Sequence, residues 1–452
     1  MFNRQRRVFG GARRFFSHKK DEMTSSHVPE SQISRIYHYG SLVGSLGFGA
    51  LGEGLRRATG SGGSGSMLLS EANLERMVRK LSQMRGAALK IGQLISFQDE
   101  KVIPPAIHQV LARLQSRANY MPKRQLEKVM QSSLGGDWRN MYKEFDEKPF
   151  AAASIGQVHR AVLKSGELVA VKVQYPGVAN SIDSDLNTIS LLLLGSRMLP
   201  EGMFLDKTIA NARTELAWEC DYTREGDGAK KFGEFLKDDE VFGVPKVYDE
   251  ASTSQVLTME FMPGVEVSKQ KWSQEEANWI ATNIMRLCLL EIAKFKCMQT
   301  DPNWANFLYS APDKKLNLLD FGATRSYGDT FITNYIGCLR AAVKGDRQGV
   351  EDFSYKLGYL TGNESAAMKS AHVDSIMVLA EPFCAEGEYD FKQQTVSDRV
   401  RDNIGVMLRE RLTPPPEETY GLHRKLSGVF LLCARMEAKV PCSRLFREIV
   451  GE

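Results

Sequence analysis

The feature that most constrains the fold is a set of polar residues at fixed spacings. The run Val169-Ala170-Val171-Lys172 stands one hairpin after Ala151-Ala152-Ala153-Ser154-Ile155-Gly156-Gln157-Val158. Far downstream, Asp301 and Asn306 are five residues apart, and Asp320-Phe321-Gly322 begins fourteen residues after Asn306. Each piece alone is weak: a strand lysine is usually solvated surface, and AAASIGQV would be an unremarkable turn. Together, in this order, they require a β-rich unit that fixes a cation, followed by a helical unit that presents two acids and an amide on loops. The flanking texture agrees. Short β-rich runs cover 155–163, 168–174, 256–261 and 316–319, with Ser165-Gly166 as the turn between the first two, and the chain beyond Thr330 is mostly helical. There is no internal repeat.

These pieces fall on the protein-kinase pattern. Against GxGxxGxV, Ala151 and Ala153 occupy the first two glycine positions, and Gly156 and Val158 the third glycine and the valine. Such a strand–turn–strand loop covers the phosphates of ATP, so Ala151, Ala152, Ala153, Ser154, Gly156 and Val158 are expected nucleotide contacts. Alanine narrows the backbone freedom that glycine gives, so nucleotide should bind with altered geometry. Lys172 would hold the α- and β-phosphates, and Asp301 would orient or deprotonate the attacking hydroxyl or water. Asn306 and Asp320 would bind Mg²⁺. Gln299 and Thr300 replace the His and Arg that precede this aspartate in most kinases, which argues against control by a phosphorylated activation loop. No Ala-Pro-Glu follows the DFG, and a helical stretch at 331–343 arrives almost at once. Met259-Glu260-Phe261-Met262, before Pro263-Gly264, suits a hinge that binds adenine through its backbone. A lysine-pairing acid is expected near 216–225, where Glu219, Asp221 and Glu225 compete, and Lys90 is a second candidate cation.

The first twenty residues hold seven Lys or Arg and no acid, with Phe2, Phe9, Phe15 and Phe16 interleaved. That is the pattern of a mitochondrial transit peptide. The seven cysteines are scattered with no CxxC pair, which argues against a disulfide framework or a zinc site and fits a reducing compartment. The net charge of +4 is too mild to indicate nucleic-acid binding. Residues 40–52, GSLVGSLGFGALG, are uncharged and carry small residues four apart. This spacing suits close helix approach in lipid and hints at a homodimer, although the roughly 20 residues needed to span a bilayer are not reached. Residues 59–66 form a Gly/Ser linker. A helix should follow Ser70 with an apolar stripe through Leu74, Met77, Val78, Leu81, Met84, Ala88, Ile91 and Ile95, and a second helical region covers about 104–134, broken at Met121-Pro122.

With these residues in view, the chain resembles the UbiB/aarF-domain (ADCK) atypical kinases, most of all their mitochondrial coenzyme Q biosynthesis members. The resemblance rests on Lys90-Ile91-Gly92-Gln93 (KxGQ), the alanine loop 151–154, Glu219-Cys220-Asp221 (ExD), Thr300–Asn306, Asp320-Phe321-Gly322 and the run Pro414–Tyr420. It covers nearly everything from about residue 70 onward. It implies an α+β, protein-kinase-like bilobal fold with a β-rich N-lobe, a helical C-lobe and a family-specific helical extension. The corresponding division is 1–20 transit peptide, 21–66 membrane-associated segment and linker, 67–137 KxGQ extension, 138–262 N-lobe with inserted ExD helices, and 263–452 C-lobe. The resemblance further implies that the KxGQ helix closes the site to peptides, that Lys90 pairs with Glu219 and Asp221, and that Glu225 is left for Lys172. It implies ATP or ADP with Mg²⁺ as ligands, and ATPase or small-molecule or lipid kinase activity in support of ubiquinone synthesis. The implied setting is the matrix side of the inner mitochondrial membrane. The implied partners are coenzyme Q biosynthetic enzymes, cardiolipin-like lipid and quinone-precursor lipids. The competing readings are a conventional Ser/Thr protein kinase and a nucleotide-switched scaffold.

Overall fold

The structure, a computed structural model, describes residues 24–26, 28, 40–41, 119–195 and 205–451. The expected transit peptide, all but the first two residues of the 40–52 segment, the linker, and Lys90, Gly92 and Gln93 lie outside them. Among the described residues, no helix is long and apolar enough to cross a membrane. The chain divides into two compact units.

The first unit holds the described residues up to 189 together with 247–265. A two-residue strand β1 (Thr24–Ser25) pairs in parallel with β2 (Asn119–Tyr120). Helix α1 (Lys123–Leu134) follows Pro122 at its N-cap and stops at Gly135, whose φ of +92° continues no helix. Gln125 within it is buried, donates to Val28 O at 2.8 Å and accepts from Val28 N at 3.1 Å.

The core of this unit is one antiparallel sheet. Strands β3 (Tyr142–Phe145), β5 (Gly156–Leu163), β6 (Leu168–Gln174) and β7 (Val256–Glu260) lie in that order, and β4 (Ala151–Ala152) pairs with β5. The β5–β6 hairpin closes at Gly166, whose φ of +105° only glycine adopts without strain. Val169, Val171 and Val173 are fully buried. Period-two alternation therefore places Ala170 and Lys172 on the opposite face. Trp138, Tyr142 and Phe145 pack edge to face at 5.0–6.0 Å, and Phe145 stacks on His159. Helix α2 (Val178–Gly195) follows, and the first unit ends within it.

The second unit holds 190–246 and 266 onward. The ExD-bearing stretch lies within this unit. There α3 (Leu205–Glu219) is followed by α4 (Tyr222–Phe235), and α4 lies against the DFG segment. Phe321 and Phe232 are buried with ring centroids 5.4 Å apart, and Arg224 donates to Thr324 O. The acid-bearing stretch is not one helix. It breaks at Cys220, and Asp221 caps α4 by accepting from Thr223 N at 3.1 Å, which satisfies an otherwise unpaired N-terminal donor.

Helix α5 (Gln274–Ala293) starts with a capping box, Ser273 with Glu276. Two ribbons follow. Strand β8 (Cys297–Gln299) pairs with β11 (Thr324–Ser326), and β9 (Phe307–Ser310) pairs with β10 (Lys315–Leu318). Phe242–Gly243 adds to β10 in parallel. Six helices follow, α6 (Asp329–Val343), α7 (Arg347–Leu357), α8 (Ala366–Cys384), α9 (Val396–Glu410), α10 (Glu417–Arg435) and α11 (Cys442–Ile449), with a short antiparallel ribbon of Tyr389–Asp390 and Lys439–Val440.

Candidate active site

In the first unit, the alanine loop is a tight hairpin. Ala151 lies opposite Val158 and Ala152 opposite Gln157, and Ala153 N donates to Gly156 O at 2.8 Å. None of Ala151, Ala152, Ala153 and Gly156 has positive φ. In this conformation the alanines carry no backbone strain; what they remove is access to the positive-φ conformations that glycine would reach. Val158 lies directly opposite Lys172 on the neighbouring strand, so the two share a face of the sheet. Lys172 is buried to 9% exposure, and Ser154 is partly exposed in the turn. The next strand continues the register: Lys172 faces Leu257, Ala170 faces Met259 and Val169 faces Glu260. Past the sheet edge, Phe261 N donates to Leu168 O at 3.1 Å, and the Phe261 ring meets that of Phe150 at 5.5 Å. Met262 is partly exposed just beyond. Phe150, 44% exposed and one residue ahead of the alanine loop, escaped the sequence reading.

In the second unit, the two ribbons bring the distant motifs together. Residues 300–306 leave β8 and enter β9, while 319–323 leave β10 and enter β11. Two backbone hydrogen bonds join these segments, Thr300 N to Ala323 O at 3.1 Å and Leu319 N to Asn306 O at 3.0 Å, and Thr300 Oγ1 donates to Ala323 O at 2.9 Å. Asp301 and Asp320 are thereby held on adjacent loops. Asp301 Oδ1 accepts from Asn303 N at 3.3 Å, and Oδ2 accepts from Asn306 Nδ2 at 3.1 Å. Asp320 Oδ1 accepts from Gly322 N at 3.0 Å.

The acids of the ExD region come to the same place. A Cβ built on Gly322 would lie 3.4 Å from Asp320 Oδ1, 3.5 Å from Glu225 Oε2 and 3.7 Å from Glu219 Cγ. Glu225 is buried to 1% exposure, whereas Asp221 is exposed and spends one oxygen on its cap. These are hard oxygen donors of the kind Mg²⁺ prefers, and Asn306 keeps its amide oxygen for a cation because its nitrogen faces Asp301. Among the described residues, no three His, Cys, Asp or Glu side chains form a complete metal cage.

Residues that the sequence reading missed sit behind the 300–306 loop. Lys425 and Glu291 are buried, with Nζ and Oε2 3.7 Å apart. Glu291 Oε1 accepts from Gln299 N at 3.1 Å, and Lys425 donates to Gln299 Oε1 at 3.3 Å. Burial pushes the Glu291 carboxyl up, with Lys425 pulling the other way.

A β-sheet unit presenting a buried lysine beside a hairpin loop, and a helical unit joining D-x-x-x-x-N to DFG, define a kinase-like phosphotransferase. Residues 113–354 match the model of the ABC1 atypical kinase-like domain. The chain is 57% identical over 436 residues to the mitochondrial atypical kinase COQ8 of Saccharomyces cerevisiae, spanning 95% of this chain and 87% of that one. It is 48% identical to the mitochondrial atypical kinase COQ8B of Rattus norvegicus, spanning 95% and 82%. A solved Mycobacterium tuberculosis protein, determined with erythromycin, shares the fold at TM-score 0.59 and 24% identity, over 84% of this chain and 97% of that one. The chain belongs to the ABC1 atypical kinase family and is an enzyme of that kind.

Proposed function

We propose that this chain is a mitochondrial atypical kinase that binds Mg·ATP and supports coenzyme Q synthesis. The observation that carries the reading is the meeting of Asp301, Asn306 and Asp320 on two hydrogen-bonded loops, in a chain 57% identical to a protein named mitochondrial COQ8. In this reading Asp301 holds and accepts the proton of the attacking hydroxyl or water. Asn306 and Asp320 hold Mg²⁺, which supplies charge neutralisation on the phosphates when bound. Lys172 and the backbone of the alanine hairpin hold the phosphates, residues 259–262 receive adenine, and Glu225 is assigned by family resemblance as the partner of Lys172. Lys90, with Gly92 and Gln93, stays assigned by family resemblance as the partner of Glu219 and Asp221.

The acceptor is a lipid, a small molecule or water in preference to a peptide. Gln299-Thr300 replaces His-Arg, and α6 begins seven residues after Gly322, leaving a short segment for peptide docking. Coenzyme Q biosynthetic enzymes and cardiolipin-containing inner-membrane surfaces on the matrix side are the proposed partners.

The test is ATP hydrolysis by the purified full chain, with and without Mg²⁺ and cardiolipin vesicles, alongside coenzyme Q content in yeast lacking COQ8 and carrying this chain. Loss of both turnover and rescue in a folded Asp301→Asn variant is expected. Full rescue by that variant would replace the reading with a nucleotide-switched scaffold. Robust phosphorylation of a peptide array would replace it with a conventional protein kinase.

A further inference from the structure

We infer that α10 is a clamp that sets the position of Asp301, and that Arg424 is a positioning residue tying the catalytic loop to the acid-bearing helix α3. The inference rests on the proposed role of Asp301.

Residues 300–306 belong to no strand and form only a single short turn, so their position must come from neighbours. One face of α10 supplies three of them and also holds Gln299, the residue just before the loop. Gly421 meets Thr300: a Cβ there would come within 2.8 Å of Thr300 Cγ2. Arg424 Nε donates to Thr300 O at 3.3 Å. Lys425 holds Gln299, as described. Gly428 lies so close to Pro302 that a Cβ would sit 2.2 Å from Pro302 Cβ, and its carbonyl accepts from Trp304 Nε1 at 3.2 Å. Gly421 and Gly428 fall two turns apart, with Arg424 and Lys425 in the turn between them, so the loop lies along a single stripe of the helix.

Arg424 does more than hold the loop. Its Nη2 pairs with Glu215 Oε1 at 3.0 Å, with both side chains 15% exposed. Glu215 lies one turn before Glu219 on α3. A single guanidinium therefore connects the carbonyl beside Asp301 to the helix that ends at the ExD acid. Its fork reaches Thr300 O through Nε and Glu215 through Nη2, two separated donors where an ammonium has a single nitrogen. A displacement of α3 is consequently transmitted to Asp301.

The experiment measures steady-state ATP hydrolysis, Mg·ADP affinity by titration and the thermal midpoint of the full chain. Gly421→Ala is expected to lower kcat by about a hundredfold, the scale of a misplacement near 1 Å, with Mg·ADP affinity unchanged. Adding Thr300→Ser, which removes Cγ2 and keeps the hydroxyl, is expected to restore part of that loss, because Thr300 Cβ remains 3.0 Å from the added methyl. Arg424→Lys, which preserves charge without the fork, is expected to lower kcat about tenfold at unchanged affinity. Wild-type kcat in both Gly421→Ala and Arg424→Lys overturns the clamp. So does a kcat loss that merely tracks lost affinity and a lowered melting midpoint without Thr300→Ser rescue. Should Gly421→Ala fail to fold, Arg424→Lys alone decides. Asp301→Asn serves as the control: if it turns over normally, the functional reading fails, whereas a dead Asp301→Asn beside an indifferent Arg424→Lys removes only the clamp.

Discussion

Asn306 donates its side-chain amide to Asp301 Oδ2 at 3.1 Å, so the residue assigned to the cation also holds the residue assigned to the proton. Asn306→Asp keeps an oxygen for the metal and replaces the donor with a second carboxylate. Like charges at this distance raise the pKa of the pair. A base must be deprotonated to work, so the acid limb of the kcat/KM profile should move to higher pH. A profile superimposable on the wild type would count against Asp301 as the base.

Gly228 brings α4 against the DFG backbone. A Cβ there would meet Phe321 Cβ and Phe321 O at 3.1 Å and Thr324 Oγ1 at 3.2 Å. Gly228→Ala gains about 1 kcal/mol of helix propensity but overpacks against a carbonyl that cannot rotate away, at a cost of about 1–3 kcal/mol. Net destabilisation in urea melts is expected. The Mg²⁺ concentration for half-maximal turnover should also rise, because the displaced segment carries Asp320. A stabilised variant with normal Mg²⁺ dependence would show that α4 yields freely.

The buried Glu291–Lys425 pair should behave asymmetrically. Glu291→Leu leaves an ammonium buried without its carboxylate, expected to cost about 3–5 kcal/mol in urea denaturation. Combining it with Lys425→Met should recover most of that, short of about 1 kcal/mol for the acceptor that Gln299 N loses. Additive losses in the double variant would mean the two side chains are not coupled.

Stability should fall with acid through buried histidines. Burial and the positive charge of Arg411 push His372 down to about 3 from 6.5, and burial pushes His159 to about 4. His159 Nδ1 lies 2.7 Å from Asp146 O and Nε2 lies 2.8 Å from Gln157 Nε2, an arrangement satisfied by the neutral Nδ1–H tautomer. With folded values below unfolded ones, the stabilisation is present above about pH 6.5 and is lost as pH falls toward the folded values. Each histidine contributes a slope of at most about 1.4 kcal/mol per pH unit. His372→Phe keeps a ring against Tyr359, 5.3 Å away, and should flatten the decline between about pH 6.5 and pH 5. An unchanged slope would show that other groups govern acid sensitivity.

The sequence by itself determined the strands and loops on which the candidate residues stand. Lys172 on β6, the 151–158 hairpin, and D-x-x-x-x-N followed by DFG are local patterns, because hairpin spacing and turn residues act over a few positions. Tertiary structure decided three things. It broke the ExD stretch into two helices at an Asp221 cap, where spacing alone suggested one acid-bearing segment. It grouped the second of these with the DFG segment through Phe232, Gly228 and Arg224, since a helical acid's partner is chosen by packing about a hundred residues away in sequence. And it placed Gly421, Arg424, Lys425 and Gly428 against the loop of Asp301. Such contacts arise from close packing between distant segments, and a glycine or arginine within a helix bears no local mark of the loop it will touch.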